Sequence, residues 1–160
     1  MEIKTEDTQL LIEKFRKSGF DLSGDLNITT GGQSLTDGDR SEFIARFIID
    51  LTSNVPDIIH GNDISVEFFD YPPNKLTIEF NKRDARIKIL DYQTGEPIND
   101  SIPECGLKIG KDELVAEIMI AAYKIRTVDR ISSIDSHEPT RHQIDESISS
   151  AEQAIDKSEF

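Results

Sequence analysis

The chain has 160 residues, which is close to the size of one ordinary domain. It holds 31 acidic and 18 basic residues, so its formal net charge is −13 at pH 7. A field of that sign repels phosphate backbones and anionic lipids, so we expect no direct binding of nucleic acid or membranes. The same field speeds the encounter with a basic protein partner.

The cysteine content and the apolar segments favour a soluble, cytoplasmic protein. Cys105 is the single cysteine, which favours a reducing compartment and excludes a disulfide within the chain. No segment approaches the run of about 20 apolar residues that a membrane-spanning helix needs. The N-terminus has no basic stretch followed by an apolar run, so no secretory signal is expected.

The first predicted element is a helix over about 5–18, in which Leu11 and Phe15 contribute to one apolar face. The residues that follow, 20–37, are ambiguous. Alternating apolar residues near 20–30 allow a short strand, which would be a fourth strand of the antiparallel sheet predicted over 64–90. The glycine-containing segment 29–34 has the composition of a loop.

A second helix is predicted over about 40–53. Asp39 and Glu42 have the spacing of a capping box, with Asp in place of the usual Ser or Thr. Apolar residues follow at helical spacing, namely Ile44, Phe47, Ile48 and Leu51. Pro56 predicts the end of this helix, because the residue before a proline avoids the helical conformation.

Apolar residues recur at every second position in three runs, at 64–69, 75–80 and 85–90, mostly with polar residues between them. This pattern, with short turns between the runs, predicts a three-stranded antiparallel meander. One face of the meander is apolar and must be covered by helices, which gives an α+β fold. The charges of the other face nearly balance, so cross-strand ion pairs are expected there.

Residues 92–111 form a long predicted connection with two prolines and three glycines, of the kind that is often functional or mobile. Asp112 then caps a helix over about 113–127. This helix is apolar on most of its circumference, so we expect it to be buried at the centre of the core.

The last segment of the chain predicts a linker or a frayed helix end at 129–137. An acidic helix follows, in which Pro139 suits the first turn. Residues 1–128 then form a single α+β domain, and 129–160 form a segment that docks on this domain or binds a partner. Apolar residues recur along the helix at coiled-coil spacing, and a homodimer through them is the alternative to docking: Ile144, Ile148, Ala151 and Ile155.

No motif predicts catalysis, a metal or a cofactor. His137 and His142 are five residues apart, which does not place both on one helix face, and His60 lies in a turn. Glu104 beside Cys105 disfavours the thiolate that a nucleophile requires. The segment that starts at Asp37 lacks the glycine and the glutamate that a calcium loop needs at its sixth and twelfth positions.

We therefore expect a protein that binds a basic or nuclease-like protein partner. In size, acidity and lack of a catalytic motif the chain is similar to immunity and inhibitor proteins that neutralise toxins. Electrostatic steering would be followed by burial of an apolar anchor. The candidate contacts are the acidic helix and the first turn of the meander: Phe69, Tyr71, Asp145, Glu146, Ile148, Glu152 and Asp156.

Two other functions are compatible with the same sequence. A secretion chaperone or assembly subunit would self-associate through the apolar stripe of the C-terminal helix. A small hydrolase would use a pair of carboxylates in a cleft, and a cleft that holds two carboxylates of raised pKa would favour it.

Overall fold

The structure is a computed structural model that describes residues 1–18, 21–38, 40–68, 74–81, 84–132 and 138–158, with the backbone alone at 40, 41 and 138–140. The fold is α+β, with two antiparallel sheets and helices packed against them. In chain order the elements are β1 (Glu2–Thr5), α1 (Thr8–Ser18), β2 (Ser23–Thr30), β3 (Gln33–Ser34), β4 (Arg40–Phe43), α2 (Ile44–Ser53), α3 (Val55–His60), β5 (Ile64–Phe68), β6 (Asn74–Asn81), β7 (Asp84–Asp91), β8 (Leu107–Gly110), α4 (Lys111–Ser132) and α5 (Glu138–Lys157).

The strand expected near 20–30 is present as β2, at the centre of the first sheet. It pairs antiparallel with β1, β3 and β4, so it does not join the meander. Gly31 and Gly32 have positive φ angles of 57° and 79°, which suit the tight turn between β2 and β3. Alternate residues of β2, including Leu26 and Ile28, are buried, and this fixes which face of the sheet meets the core.

Two predicted helices begin later than expected because their first residues join this sheet. Residues 2–5 form β1, and α1 starts at Thr8 after Asp7, whose carboxylate accepts a hydrogen bond from the Leu10 amide at 2.9 Å. Residues 40–43 form β4, and α2 starts at Ile44. The proposed cap at Asp39 lies outside the described residues.

The second sheet contains the predicted meander. Strands β5, β6 and β7 pair antiparallel in sequence order, with Ile78 opposite Ile64 and Ile87. A fourth strand, β8, pairs with β7 and comes from the segment that sequence analysis assigned to a connection. With only four residues and a glycine at its end, β8 carries little alternation, so its partner β7 decides its conformation.

The helical layer differs from the prediction in three places. Helix α2 ends at Ser53 as expected, but Pro56 occupies the first turn of a further helix, α3. Helix α4 continues to Ser132, beyond the predicted end at 127, so residues 129–132 belong to the end of this helix and not to a linker. Three large apolar side chains of α4 are exposed, so this helix is buried on one side and not all round.

The core lies between the two sheets and the helices. Phe47 of α2 stacks on Phe68 of β5 with ring centroids 4.7 Å apart, which joins the helical layer to the second sheet. Such an aromatic pair contributes about 1 kcal/mol beyond the burial of its area. Helix α4 packs against α1, α2, α3 and α5. Within the described residues, every helix falls short of the length and apolarity that crossing a bilayer requires.

Candidate protein-binding surface

The apolar stripe of α5 is used inside the chain. Ile144, Ile148 and Ala151 are each at most 1% exposed, and Ile155 is partly buried against the same core. Helix α5 packs on α2, α3 and α4 through this face. The first three side chains therefore have no surface to offer a second copy, and Ile148 cannot serve as an exposed anchor for a partner. The docked arrangement is favoured because it removes most of the stripe from water.

An ion pair fixes α5 along α4. The Nε atom of Arg141 donates to Oδ2 of Asp129 at 3.1 Å. The Asp129 side chain is fully buried, and within the described part of the chain its Oδ1 atom has no hydrogen-bond partner. A buried charge of this kind depends on its partner, so the pair holds the start of α5 in one position.

The four acidic residues predicted on α5 remain at its surface but divide between two sides. On the side facing α4, Asp145 lies 3.7 Å from Arg130 and Glu152 lies 3.9 Å from Arg126. These residues and Asp156 line a groove of about 330 Å³. The two arginines offset part of the negative charge there, and such exposed pairs contribute little to stability.

Glu146 lies on the other side of α5, in a groove of about 520 Å³ between α5 and α2. Asp50 of α2 lines the same groove, and its partial burial raises the pKa of its carboxyl above the usual value, with Arg46 opposing this in part. Arg46 itself donates to Asp21 at 2.6 Å, so this guanidinium already has an acidic partner. The groove is therefore a concave, negatively charged surface.

This groove adjoins a second one that runs to the edge of the meander. Asp50 and Ser53 line both grooves, and the second has a volume of about 450 Å³ and is also lined by Glu67. Strand β5 lies at the edge of its sheet, next to this second groove. Asp50, Glu67 and Glu146 thus surround one continuous depression. The sequence did not single out Asp50, because a polar residue at this position is expected of any amphipathic helix.

A second surface is the outward face of α4. Ile120, Tyr123 and Ile131 are 61%, 37% and 50% exposed, and the exposed Ala116 and Thr127 complete the same face at spacings of four, three, four and four residues. The signal for this face was present in the sequence. The sequence alone could not distinguish this face, because α4 has apolar residues on both sides. Which side is covered depends on the neighbouring helices.

The structure describes three of the remaining candidate residues, His60, His142 and Cys105. Phe69 and Tyr71 lie outside the described residues, as does His137. His60 makes a contact of 2.6 Å from Nδ1 to the Pro56 carbonyl, and His142 pairs with Glu146 at 3.6 Å. Cys105 is exposed. Across the described ranges no group of three or more His, Cys, Asp or Glu residues is arranged to hold a metal ion.

Comparisons with protein-family models, with curated proteins and with solved structures found no match to this chain.

Proposed function

We propose that the protein binds a basic protein partner and masks it, in the manner of an immunity or inhibitor protein. One observation carries the proposal: α5 is locked onto the chain by its buried stripe, while its acidic residues stay at the surface beside two grooves. A charged surface on a rigid helix loses little conformational entropy on binding, which favours affinity.

The charge distribution supports the choice of a basic partner. The net charge of −13 attracts a cationic protein over a distance of about 10 Å at ordinary salt. At contact, Glu146, Asp50 and Glu67 offer carboxylates around a depression that can take a lysine or arginine side chain. Electrostatic steering sets the association rate, and the concave surface then selects the partner.

The test compares wild type with a variant in which the α5 acids are neutral, namely Asp145→Asn, Glu146→Gln, Glu152→Gln and Asp156→Asn. A matched control removes four exposed charges elsewhere, with Glu13→Gln, Asp25→Asn, Glu96→Gln and Asp100→Asn. Both variants have a net charge of −9, because each loses four of the 13 excess negative charges. Each protein is immobilised and exposed to native lysate at low and high salt.

Capture of one basic protein by wild type and by the control, but not by the α5 variant, supports the proposal. Retention should weaken at high salt, since the contacts are between charged groups. The captured protein is then purified, and its activity should fall when one equivalent of this chain is added. Equal capture by all three proteins, or no capture by wild type, would contradict the proposal.

A further inference from the structure

We infer that the open edge of β5 binds an extended segment of the basic partner, which adds a fifth strand to the four-stranded second sheet. A lysine or arginine of this segment reaches the carboxylate of Asp50. The inference rests on the proposed function for the choice of a basic partner. It adds the strand that the partner contacts and the conformation that the partner adopts there.

The hydrogen bonds of β7 show which of its backbone groups point away from the meander. The Ile98 amide donates to the Ile89 carbonyl at 3.0 Å. The Asp91 amide donates to the Glu96 carbonyl at 2.8 Å. The backbone groups of Ile89 and Asp91 are therefore directed away from β6. Because these groups alternate between the two sides of a strand, the even-numbered residues of β7 bond to β6.

The same alternation continues through β6 to β5. Even residues of β7 lie opposite odd residues of β6, so the odd residues of β6 bond to β7 and the even ones bond to β5. The Phe80 amide agrees with this, because it donates to Oδ1 of Asp63, directly before β5, at 2.8 Å. Even residues of β6 lie opposite even residues of β5. The backbone N–H and C=O groups of Ser65 and Glu67 therefore point away from β6.

These outward groups of β5 meet a groove. Strand β5 is the last strand on its side of the sheet. Within the described ranges, the backbone of Ser65 and Glu67 forms no hydrogen bond to a turn, a loop or a further strand. Both residues are exposed, and both line the groove of about 450 Å³ beside α2. An extended segment can pair with donors and acceptors at this two-residue spacing, as in recognition by β-strand addition.

Both faces of an added strand meet a carboxylate. Phe47 of α2 stacks on Phe68, so α2 covers the face of β5 to which Phe68 belongs. Asp50 of α2 lines the groove on that face. Glu67 lies on the opposite face, because side chains alternate along a strand. A basic side chain on either face of the added strand therefore has an acidic partner.

The cations of this chain leave much of that negative charge uncompensated. Glu67 accepts a hydrogen bond from the Tyr92 hydroxyl at 3.1 Å. Lys75, opposite Glu67 in β6, lies over the Tyr92 ring, and within the described residues it forms no ion pair with Glu67. Glu146, in the adjoining groove, is 73% exposed and lies 3.6 Å from a histidine. Among the residues that line the two grooves Arg46 is the one cation, and it already donates to an aspartate outside them.

Charge decides between a basic segment and a second copy of this chain. Pairing two β5 edges across a two-fold axis would bring Asp50 and Glu67 of one copy towards those of the other, in chains that each carry a net charge of −13. Like charges that face each other across a contact disfavour association. A lysine or arginine instead brings a cation to Asp50, and its side chain has room along the groove towards Glu146.

The first test is amide hydrogen exchange. In the free protein the amides of Ser65 and Glu67 should exchange faster than that of Val66, which bonds to β6. A short capped peptide of alternating lysine and valine is then added, and a peptide of alternating glutamate and valine is the control. The lysine peptide should slow exchange at Ser65 and Glu67 about tenfold once its concentration is about ten times its dissociation constant.

Two results of the exchange measurement would overturn the inference. The amides of Ser65 and Glu67 could already be as protected as that of Val66 in the free protein, which would mean that the edge is covered. The lysine peptide could also leave both amides unprotected, or protect them no more than the glutamate peptide does.

Variants of the edge test the backbone contact. Ser65→Pro removes an N–H that does not bond to β6, so the meander should persist. It should weaken binding of the lysine peptide at least about fivefold, whereas Ser65→Ala keeps the N–H and should change binding less than about twofold. Urea unfolding checks that each variant is folded. Equal binding by the two variants would overturn the pairing with β5.

A charge variant tests the contact with Asp50. Asp50→Asn should weaken binding of the lysine peptide, because it removes the carboxylate that receives the cation. Asp100→Asn is the control, since it removes the same charge from an exposed position away from both grooves. Equal binding by these two variants would overturn the assignment of Asp50.

The peptide measurements separate the inference from the proposed function, since they need no protein from the lysate. Protection of Ser65 and Glu67 by the lysine peptide without capture of a basic protein would support the inference and contradict the proposed function. Capture of one basic protein equally by wild type and by Ser65→Pro would support the proposed function and overturn the inference.

Discussion

Asp129 of α4 and Arg141 of α5 form an ion pair whose acidic member is fully buried, while the arginine remains 32% exposed along its side chain. The pair joins residues on either side of the segment between the two helices. Because the Asp129 carboxylate has no access to water, its charge is stabilised by the protein alone. Together with the buried stripe, this contact sets the position of α5 and of the acidic residues on it.

We expect Arg141→Met to destabilise the fold by about 3 kcal/mol, because it leaves the buried Asp129 charge without its cation. The measurement is the urea midpoint of unfolding at neutral pH. Arg130→Met is the matched control: the same substitution is made at an arginine that is 60% exposed and lies 3.7 Å from Asp145. Its effect should stay within about 0.5 kcal/mol, and equal effects at the two positions would contradict the prediction.

Truncation of the α5 stripe should have the effect of a core mutation. Ile148→Ala removes buried methyl groups from a side chain that is 1% exposed and should cost about 2 to 4 kcal/mol in the free energy of unfolding. Ile155→Ala, at a partly buried position of the same helix, should cost less. Urea unfolding followed by circular dichroism measures both. Equal and negligible losses would mean that α5 is not docked.

Gly106 occupies a position that a side chain cannot enter without a rearrangement. Its φ angle is +81°, and a Cβ atom there would lie 2.7 Å from the backbone oxygen of Ile87. Gly106→Ala should therefore destabilise by more than the roughly 1 to 2 kcal/mol that a left-handed backbone costs an L-residue. Gly95→Ala serves as the control, since φ is +70° and no atom lies within 4 Å of its Cβ site.

Thermal unfolding of the two glycine variants separates the steric effect from the backbone effect. The loss at Gly95 reports backbone strain alone, and the excess loss at Gly106 reports the clash with β7. Equal losses would show that the turn before β8 can shift away from Ile87 at little cost.

The raised pKa of Asp50 predicts how the free energy of unfolding changes with pH. Burial raises the pKa of its carboxyl above the usual 3.8, so the folded chain keeps this proton to a higher pH than the unfolded chain does. The stability linked to Asp50 is therefore fully present below about pH 3.8 and is lost as the pH rises through the folded-state pKa. Asp50→Asn removes this loss and should raise the urea midpoint at pH 7.

The control for Asp50→Asn is Asp156→Asn, which also removes one negative charge, but from an exposed position on α5. Asp50→Asn should stabilise more than Asp156→Asn at pH 7, and its advantage over wild type should vanish near pH 3.5, about where the carboxyl is protonated in both states. An advantage that persists at that pH would mean that the amide makes new contacts and that charge burial is not the cause.

Much of the local structure could be predicted from the sequence because local patterns control it. The alternation at 64–90 predicts the meander, since a strand buried on one side must place every second residue in the core. The spacing of Ile44, Phe47, Ile48 and Leu51 predicts α2, and all four are buried in the structure. Short pieces were missed, such as β1 and β8, because a strand of four residues is determined by its neighbour and carries little pattern of its own.

By itself, then, the sequence determined the fold class, the meander, the principal helices and the acidic field, because each follows from periodicity or composition. Tertiary structure decided which apolar face meets water. The stripe of α5 and the outer face of α4 have similar spacing, yet Ile148 is buried and Ile120 is exposed. The spacing of apolar residues places a stripe on a helix, but whether another element covers that stripe depends on contacts between residues distant in sequence.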